Sequence, residues 1–182
     1  MQDFAWPVPE NTRISQRFGE RPEFYNPLGF KAHPGIDFAI PEGTPIRAAS
    51  WGVVVKVGHS KKGWGIYVKI KHDFYITLYA HLQCALTCQG CYITKGQLIG
   101  YSGNTGLSSG PHLHFGVRIP DSADNAYKGY IDPNQIINTS QSFNTEILDK
   151  IRREILQIKK DKYSKDSLYI HVKYIEKILS NK

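Results

Sequence analysis

The chain has 182 residues, of which 41% are hydrophobic, and its formal net charge is +7. This length accommodates one full domain with a small appendage. No apolar run approaches the roughly 18–20 residues that span a membrane, and no arginine-rich block, zinc-finger spacing or RNA-binding aromatic motif argues for nucleic acid as a partner. The positive charge fits anionic polymers and simple solubility equally well.

The N-terminal segments are rich in turn-forming residues. Residues 1–7 lack the positively charged and apolar regions of a signal peptide. Prolines and a short alternation over residues 4–19 predict an edge strand and a turn, and residues 20–31 predict a loop.

A strand is predicted over residues 33–40, because Pro34 and Gly35 disfavour a helix. At the strand period of two, His33 and Asp37 share one face, and the large apolar side chains share the other. This strand is therefore expected to turn two polar side chains away from the core.

Residues 52–58 and 66–71 predict a β-hairpin, and a third alternating segment follows at residues 74–82. Tyr79 and His81 share the predicted polar face of that segment, and the intervening apolar residues share its core face. A third histidine is thus expected on the side away from the core.

The clearest alternation lies at residues 112–119. His112 and His114 share one face of this predicted strand, and the intervening apolar residues share the other. A loop of small residues, 102–110, leads directly into the strand and is expected to bring backbone donors near the histidines.

Many short strands separated by Gly and Pro turns predict a mainly β domain, an antiparallel sheet or sandwich, over residues 1–140. Residues 141–182 predict a C-terminal helical hairpin, because apolar residues recur at helical spacing after Asn144 and after Ser164, two suitable N-caps. The apolar stripes of this tail are expected to pack on the β domain or on each other, or else to mediate docking or self-association.

Three cysteines, Cys84, Cys88 and Cys91, lie close together in the sequence. Their odd number argues against a fully paired secreted framework, and no fourth ligand for a metal accompanies them. We therefore expect a local disulfide or free thiols in a hairpin loop.

The polar faces of the predicted strands collect five candidate site residues: His33, Asp37, His81, His112 and His114. Three protein ligands with one open position are typical of catalytic zinc, which lowers the pKa of bound water to about 7. The remaining histidines are then available as base, acid or oxyanion donor. Two histidines on one strand face also occur as ordinary surface residues. The histidines outside this set are predicted to be solvated: His59, His72 and His171.

Three motifs in this order resemble those of the lysostaphin/LytM-type zinc metallopeptidases, which are peptidoglycan endopeptidases. The motifs are His33-x-x-x-Asp37, Tyr79-Ala80-His81-Leu82 and Gly110-Pro111-His112-Leu113-His114-Phe115. The resemblance runs from about Trp6 to Pro133, and the cysteine-containing loop and the tail depart from the family pattern.

The resemblance implies a role for each candidate. It implies that Zn²⁺ is bound by three residues: His33, Asp37 and His114. It implies that His81 and His112 act on the water and on the scissile carbonyl, without distinguishing the base from the oxyanion stabiliser. Tyr25 and Tyr79 are candidates for the substrate groove, although a strand tyrosine packing on its neighbour fits Tyr79 equally well.

By this resemblance the chain is expected to be an active zinc-dependent endopeptidase that cuts peptide bonds in bacterial peptidoglycan, in the cell wall, the periplasm or outside the cell. The alternative is a non-catalytic wall-binding or hydrolase-activating module docked through the tail. The absence of a signal peptide in residues 1–7 leads us to expect delivery by a phage or a secretion machine, or a trimmed chain.

Overall fold

The structure is a computed structural model that describes residues 3–120 and 126–137. Within these ranges it contains the following strands: β1 Ile14–Gln16, β2 Ile36–Phe38, β3 Pro45–Arg47, β4 Gly52–Ser60, β5 Gly65–Lys71, β6 Ile76–Ala85, β7 Tyr92–Ile93, β8 Leu98–Ser102, β9 Leu113–Arg118 and β10 Tyr130–Ile131. Two short helices, α1 Pro22–Tyr25 and α2 Asn134–Ile137, and a 3₁₀ turn at Asn26–Leu28 accompany them. The predicted helical tail and the domain boundary at residue 140 lie outside the described residues.

The strands form one sheet in which every pairing is antiparallel, as the sequence predicts. Its main order is β1-β2-β9-β6-β5-β4-β7, with β10 paired to β9, and β8 paired to both β3 and β6. No helix in the described part of the chain is long and apolar enough to cross a membrane.

Strand β6 is the longest of these strands, and along one edge its pairing partner changes from β9 to β8 partway along its length. Its first half, through Ala80, pairs with β9, whereas Leu82 and the residues after it pair with β8. His81 lies between the two halves and has a positive φ of 61°. A left-handed residue is uncommon outside glycine, and it interrupts the regular alternation of side chains between the two faces of a strand.

The apolar side chains occupy both faces of the sheet. On β9, Leu113, Phe115 and Val117 are fully buried in the main core, as their alternation predicts. Leu78 and Ala80 of β6 lie in a second, smaller cluster on the opposite face. This second face also carries the site described below.

The predicted faces of β6 were wrong for Tyr79. Tyr79 is fully buried in the main core, whereas its neighbours Leu78 and Ala80 face the opposite side. Tyr79 therefore does not line the cleft described below. Because both faces of β6 are covered by apolar side chains, alternation of apolar and polar residues did not reveal which face belongs to the main core.

His72 was predicted to be solvated, but it is buried, with 3% of its surface exposed. Its Nδ1 lies 2.6 Å from the Trp51 carbonyl oxygen, and its Nε2 lies 2.8 Å from Thr77 Oγ1. Thr77 Oγ1 lies 3.1 Å from the Tyr79 hydroxyl, which accepts a hydrogen bond from the Ala49 N–H at 2.8 Å. These contacts form a buried polar chain in which the side-chain polar groups have hydrogen-bond partners, although the sequence pattern predicted these side chains to lie at the surface. His59 is exposed as predicted, and His171 lies outside the described residues.

The cysteines divide between the two expected states. Cys88 and Cys91 form a disulfide in the loop between β6 and β7, and Cys84 is a free thiol on β6. The Cys91 carbonyl accepts a hydrogen bond from the Val54 N–H, which ties the bridged loop to β4.

Candidate metal centre

Three donor atoms converge on one point beside the sheet. His33 Nε2 lies 3.0 Å from Asp37 Oδ1 and 2.9 Å from His114 Nδ1. Asp37 Oδ1 and His114 Nδ1 lie 2.8 Å apart. All three residues are buried, and they form a group capable of holding a metal ion.

The sheet itself brings two of these residues together. Asp37 of β2 and His114 of β9 are direct partners in the antiparallel ladder, and both point away from the main core. His33 lies three residues before the start of β2 and is fully buried. The site is thus built on paired backbone, which holds the donors more rigidly than a loop does.

The hydrogen bonds around His33 decide what its ring presents to the site. His33 Nδ1 lies 2.9 Å from the Arg17 carbonyl oxygen, which only accepts, so the proton of the neutral ring is on Nδ1. Nε2 then carries a lone pair that faces the Asp37 carboxylate. Two electron-rich atoms at 3.0 Å repel each other unless a metal ion or a proton lies between them, and carbonyl-oriented imidazoles are a usual feature of metal sites.

The protonation states of the other two donors favour the same conclusion. Burial raises the pKa of Asp37, but the closely placed His114 and His33 rings outweigh that effect and hold the pKa well below its ordinary value. Burial lowers the pKa of His114 to about 4, against the opposing effect of Asp37. At neutral pH an ionised carboxylate therefore faces a neutral imidazole, and these are the forms that bind metals.

Two neighbours restrict the position of the His114 ring. Trp64 packs on it with ring centroids 4.7 Å apart and an interplanar angle of 32°. On another side, a Cβ added to Gly35 would lie 2.7 Å from His114 Cε1 and 2.5 Å from the Phe115 carbonyl oxygen. Glycine at position 35 therefore leaves the room that the ring occupies.

His81 and His112 lie side by side next to the three donors, with ring centroids 4.6 Å apart. His81 Nδ1 lies 2.7 Å from the Thr105 carbonyl oxygen, and His112 Nδ1 lies 2.8 Å from the Gly110 carbonyl oxygen. In each neutral ring the proton is therefore on Nδ1, and Nε2 is left as the reactive nitrogen. His112 Nε2 lies 3.8 Å from Asp37 Oδ2, which places that nitrogen beside the donor cluster.

Regular strand alternation, which the sequence predicts for both histidines, does not position either of them. The positive φ of His81 directs its side chain to the site although the preceding odd-numbered residue, Tyr79, faces the main core. His112 precedes β9 and makes only an isolated bridge with Gly103. Burial lowers the pKa of His81, so its ring is neutral at pH 7.

The loop at residues 102–110 was expected to provide backbone donors, and it provides acceptors instead. The Thr105 and Gly110 carbonyl oxygens each receive an Nδ1–H from one of the two histidines. The Thr105 hydroxyl also donates to the Leu82 carbonyl at 2.7 Å, which ties the loop to β6.

A cleft of about 410 Å³ opens onto four of the five candidates, Asp37, His81, His112 and His114, whereas the fully buried His33 does not line it. Its remaining walls are largely aromatic and aliphatic, with a few polar and basic side chains: Gln16, Arg21, Phe24, Tyr25, Leu28, Phe30, Lys62, Gly63, Trp64, Leu107, Ser108 and Ser109. The Tyr25 ring packs against His33 at 5.1 Å, and its hydroxyl accepts a hydrogen bond from Gln16 at 3.1 Å. Burial and the Asp37 carboxylate raise the pKa of Tyr25 to about 12, so this hydroxyl keeps its proton.

This geometry agrees with a family assignment made from the sequence. The model of peptidase family M23 matches residues 31–133, more than half of the chain. The chain belongs to peptidase family M23. The matched segment contains all five candidate site residues and ends before the tail.

Named relatives extend the comparison of this M23 domain. It is 39% identical over 127 residues to the peptidoglycan DD-endopeptidase ShyA of Vibrio cholerae, covering 69% of this chain and 29% of that protein. It is 45% identical over 111 residues to the DD-carboxypeptidase/endopeptidase Mpg of Neisseria meningitidis, covering 59% and 25%. The chain thus spans only about a quarter of the length of these curated relatives.

Solved structures show the same fold. The catalytic domain of lysostaphin from Staphylococcus simulans matches with a TM-score of 0.64 and 29% identity, covering 75% of this M23 domain's chain and 99% of that chain. A zinc-containing peptidase from Vibrio cholerae matches with a TM-score of 0.60 and 32% identity, covering 71% and 39%.

No sequence motif marks several residues that shape the site. Trp64 lies between the two strands of the predicted hairpin and outside every motif, yet it packs on His114. Arg17 contributes only its carbonyl oxygen, which any residue type provides. Such contacts depend on the tertiary position of the backbone, and no residue pattern predicts them.

Proposed function

We propose that this domain is a zinc-dependent endopeptidase that hydrolyses peptide bonds in bacterial peptidoglycan. The observation that carries the proposal is the convergence of three metal donors beside two histidines whose Nδ1 protons are already engaged by backbone carbonyls. The names of the relatives, peptidoglycan endopeptidases among them, support the substrate class.

The donor set fits zinc. Two imidazole nitrogens and one carboxylate oxygen are usual zinc ligands, with bonds of about 2.0–2.2 Å, and three protein ligands leave a position open. We propose that His33, Asp37 and His114 hold the ion. When bound there, zinc supplies Lewis acidity toward a carbonyl oxygen and lowers the pKa of a water molecule to about 7.

The two remaining histidines move protons and stabilise charge. One of them accepts the proton of the attacking water at Nε2, because its Nδ1 proton is held by a backbone carbonyl. The other, when it carries a second proton, donates from Nε2 to the oxygen of the developing tetrahedral species. The hydrogen bonds from Nδ1 to Thr105 and Gly110 keep both rings oriented during this exchange.

We assign Tyr25 to the substrate groove, where its hydroxyl lies near the metal donors and stays protonated. The aromatic and aliphatic walls of the cleft exclude water from part of a bound peptide, which strengthens the polar contacts made there.

The place of action follows from the substrate. Peptidoglycan lies outside the cytoplasmic membrane, so we propose that the enzyme acts in the cell wall, the periplasm or outside the cell. Docking or self-association through residues 141–182 remains part of this proposal. Removing residues 141–182 tests the tail: hydrolysis should persist while docking or assembly is lost.

Metal content measured together with activity tests the enzyme assignment. Native protein should bind one zinc ion per chain and release new peptide termini from purified peptidoglycan, identified by mass spectrometry. Asp37→Ala should lose both the zinc and the products. Lys61→Gln, a surface change outside the cleft lining, is the control. Stoichiometric zinc without cleavage of any wall type would reject the enzyme and favour the wall-binding alternative.

A further inference from the structure

We propose that Arg21 and Lys62, which both line the cleft, are a pair of carboxylate-recognising residues that select stem peptides bearing free carboxylates over uncharged bridges such as oligoglycine. This inference rests on the proposed function and specifies the substrate of the same site. By this inference, two side chains outside the five candidate site residues determine the specificity for wall peptides.

The charges of the cleft are unequal. Apart from the histidines, the charged residues that line it are Arg21, Lys62 and Asp37. Asp37 is engaged with the metal donors, and a bound divalent cation outweighs its single negative charge. Among the described residues, the cleft lining therefore holds two cations, and its one acidic side chain, Asp37, does not balance them once the metal is bound.

Arg21 lines the cleft at the N-terminal end of α1. It occupies the N-cap position of α1 with a positive φ of 54°, and its guanidinium lies 5.4 Å from the centre of the Phe24 ring. Arg21 also lowers the pKa of Tyr25, against the larger effect of burial, which places its charge near that hydroxyl. Its contact with Glu23 is 3.9 Å long between largely exposed side chains, so Arg21 remains available to a ligand.

Lys62 lines the cleft from the turn between β4 and β5. The next two residues along the turn, Gly63 and Trp64, also line the cleft, and Trp64 packs on His114. The Gly63 carbonyl accepts a hydrogen bond from the Leu107 N–H at 2.8 Å, which fixes the turn against the neighbouring loop. Lys62 itself makes no ion pair within the described part of the chain.

Two cations in the cleft lining favour a substrate that carries free carboxylates. Arginine binds a carboxylate through two parallel hydrogen bonds, and lysine binds it as a point charge. Stem peptides with acidic and diamino acid residues carry such carboxylates, whereas an oligoglycine bridge offers none. Arg21 and Lys62 would therefore gain no electrostatic attraction to an uncharged oligoglycine bridge.

A matched set of peptides tests the inference. Zinc-loaded full-length protein is assayed with a cross-linked stem peptide with free carboxylates, with the same peptide carrying carboxamides, and with an oligoglycine peptide. We expect the free carboxylates to raise kcat/KM by about two- to fivefold for each recognising residue, the range for partly exposed ion pairs. The preference should shrink at high ionic strength.

Variants assign the effect to the two residues. Arg21→Gln and Lys62→Gln should each raise KM for the carboxylated peptide, leave kcat unchanged, and leave the carboxamide peptide unaffected. Lys61→Gln, the neighbouring charge that does not line the cleft, should behave as the wild-type protein. Equal slowing of both peptides by the Arg21 and Lys62 variants would show a structural role and overturn the inference, as would equal kcat/KM for free and amidated peptides.

The failure of the proposed function is distinguishable from the failure of this inference. If wild-type protein with zinc cleaves none of the peptides and no peptidoglycan, the enzyme assignment fails. Binding of the same labelled peptides, measured by fluorescence anisotropy, then decides the inference by itself. Tighter binding of the carboxylated peptide that is lost in Arg21→Gln and Lys62→Gln supports it, and equal affinity for free and amidated peptides rejects it.

Discussion

Asp37 and His114 are direct partners in the ladder between β2 and β9, and their Oδ1 and Nδ1 atoms lie 2.8 Å apart. Two of the three donors are therefore positioned by backbone hydrogen bonds rather than by side-chain packing alone. A change that shifts one of these strands should disturb the metal centre even where no donor is replaced, and Gly35 offers that test.

Gly35→Ala should destabilise the protein and weaken zinc binding together. The new Cβ would meet His114 Cε1 at 2.7 Å and the Phe115 carbonyl oxygen at 2.5 Å, and relieving these contacts displaces the ring or the strand. We expect a loss of about 1–3 kcal/mol in the free energy of unfolding, as for overpacked cores, measured by urea denaturation. Gly110→Ala is the control, because its Cβ meets nothing within 4 Å. Unchanged zinc affinity in Gly35→Ala would contradict the prediction.

His81→Ala and His112→Ala should each reduce kcat by about 10²–10⁴, the usual contribution of a positioned acid or base. Neither residue belongs to the three converging donors, so zinc per chain, measured by plasma mass spectrometry, should stay at the native value. The comparison is with His33→Ala, which should lose zinc and activity together. Loss of zinc in the His81 variant would place that residue among the ligands.

Tyr79→Phe should lower stability and leave catalysis intact. The change removes the hydroxyl that accepts the buried Ala49 N–H and contacts Thr77, and an unsatisfied buried donor costs about 1–3 kcal/mol. Thermal or urea unfolding measures the loss, and peptide hydrolysis should show an unchanged KM. Tyr25→Phe is the matched comparison. It should retain stability within about 1 kcal/mol and reduce kcat/KM. The reverse pattern would mean that Tyr79, and not Tyr25, contacts substrate.

The buried His72 should make stability depend on pH. Burial lowers its pKa in the folded state, against the opposing effect of the Trp51 carbonyl, whereas the unfolded chain titrates near the ordinary value of about 6.5. Below that value the unfolded state binds the proton more readily, so the contribution of His72 is complete above about pH 6.5 and is lost as the pH falls.

Urea unfolding of wild type and His72→Gln between about pH 5 and 7.5 measures this contribution. The wild-type free energy of unfolding should fall more steeply on acidification than that of the variant. The difference between the two proteins removes the contribution of the metal centre, which they share. His59→Gln, at an exposed histidine outside the buried chain, is the control. Equal slopes for wild type and His72→Gln would contradict the prediction.

Local sequence patterns were sufficient to predict the antiparallel sheet, the face of β9 that carries His114, and the family. The alternation at residues 112–119 correctly placed His114 opposite Leu113 and Phe115, because one face of β9 meets the main core. Turn-forming residues and short apolar segments indicated the antiparallel sheet, and the motifs around His33, His81 and His112 identified the family. The helical tail is not tested by the described residues.

Tertiary structure decided what alternation does not encode. Strand β6 is covered on both faces, so Tyr79 and Ala80 are equally compatible with the main core, and only packing selects Tyr79. The positive φ of His81 arises where β6 changes partners, and it brings that ring to the site. The carbonyl oxygens of Arg17, Thr105 and Gly110 orient three imidazoles. Backbone oxygens are the same in every residue, so their contribution depends on three-dimensional position alone.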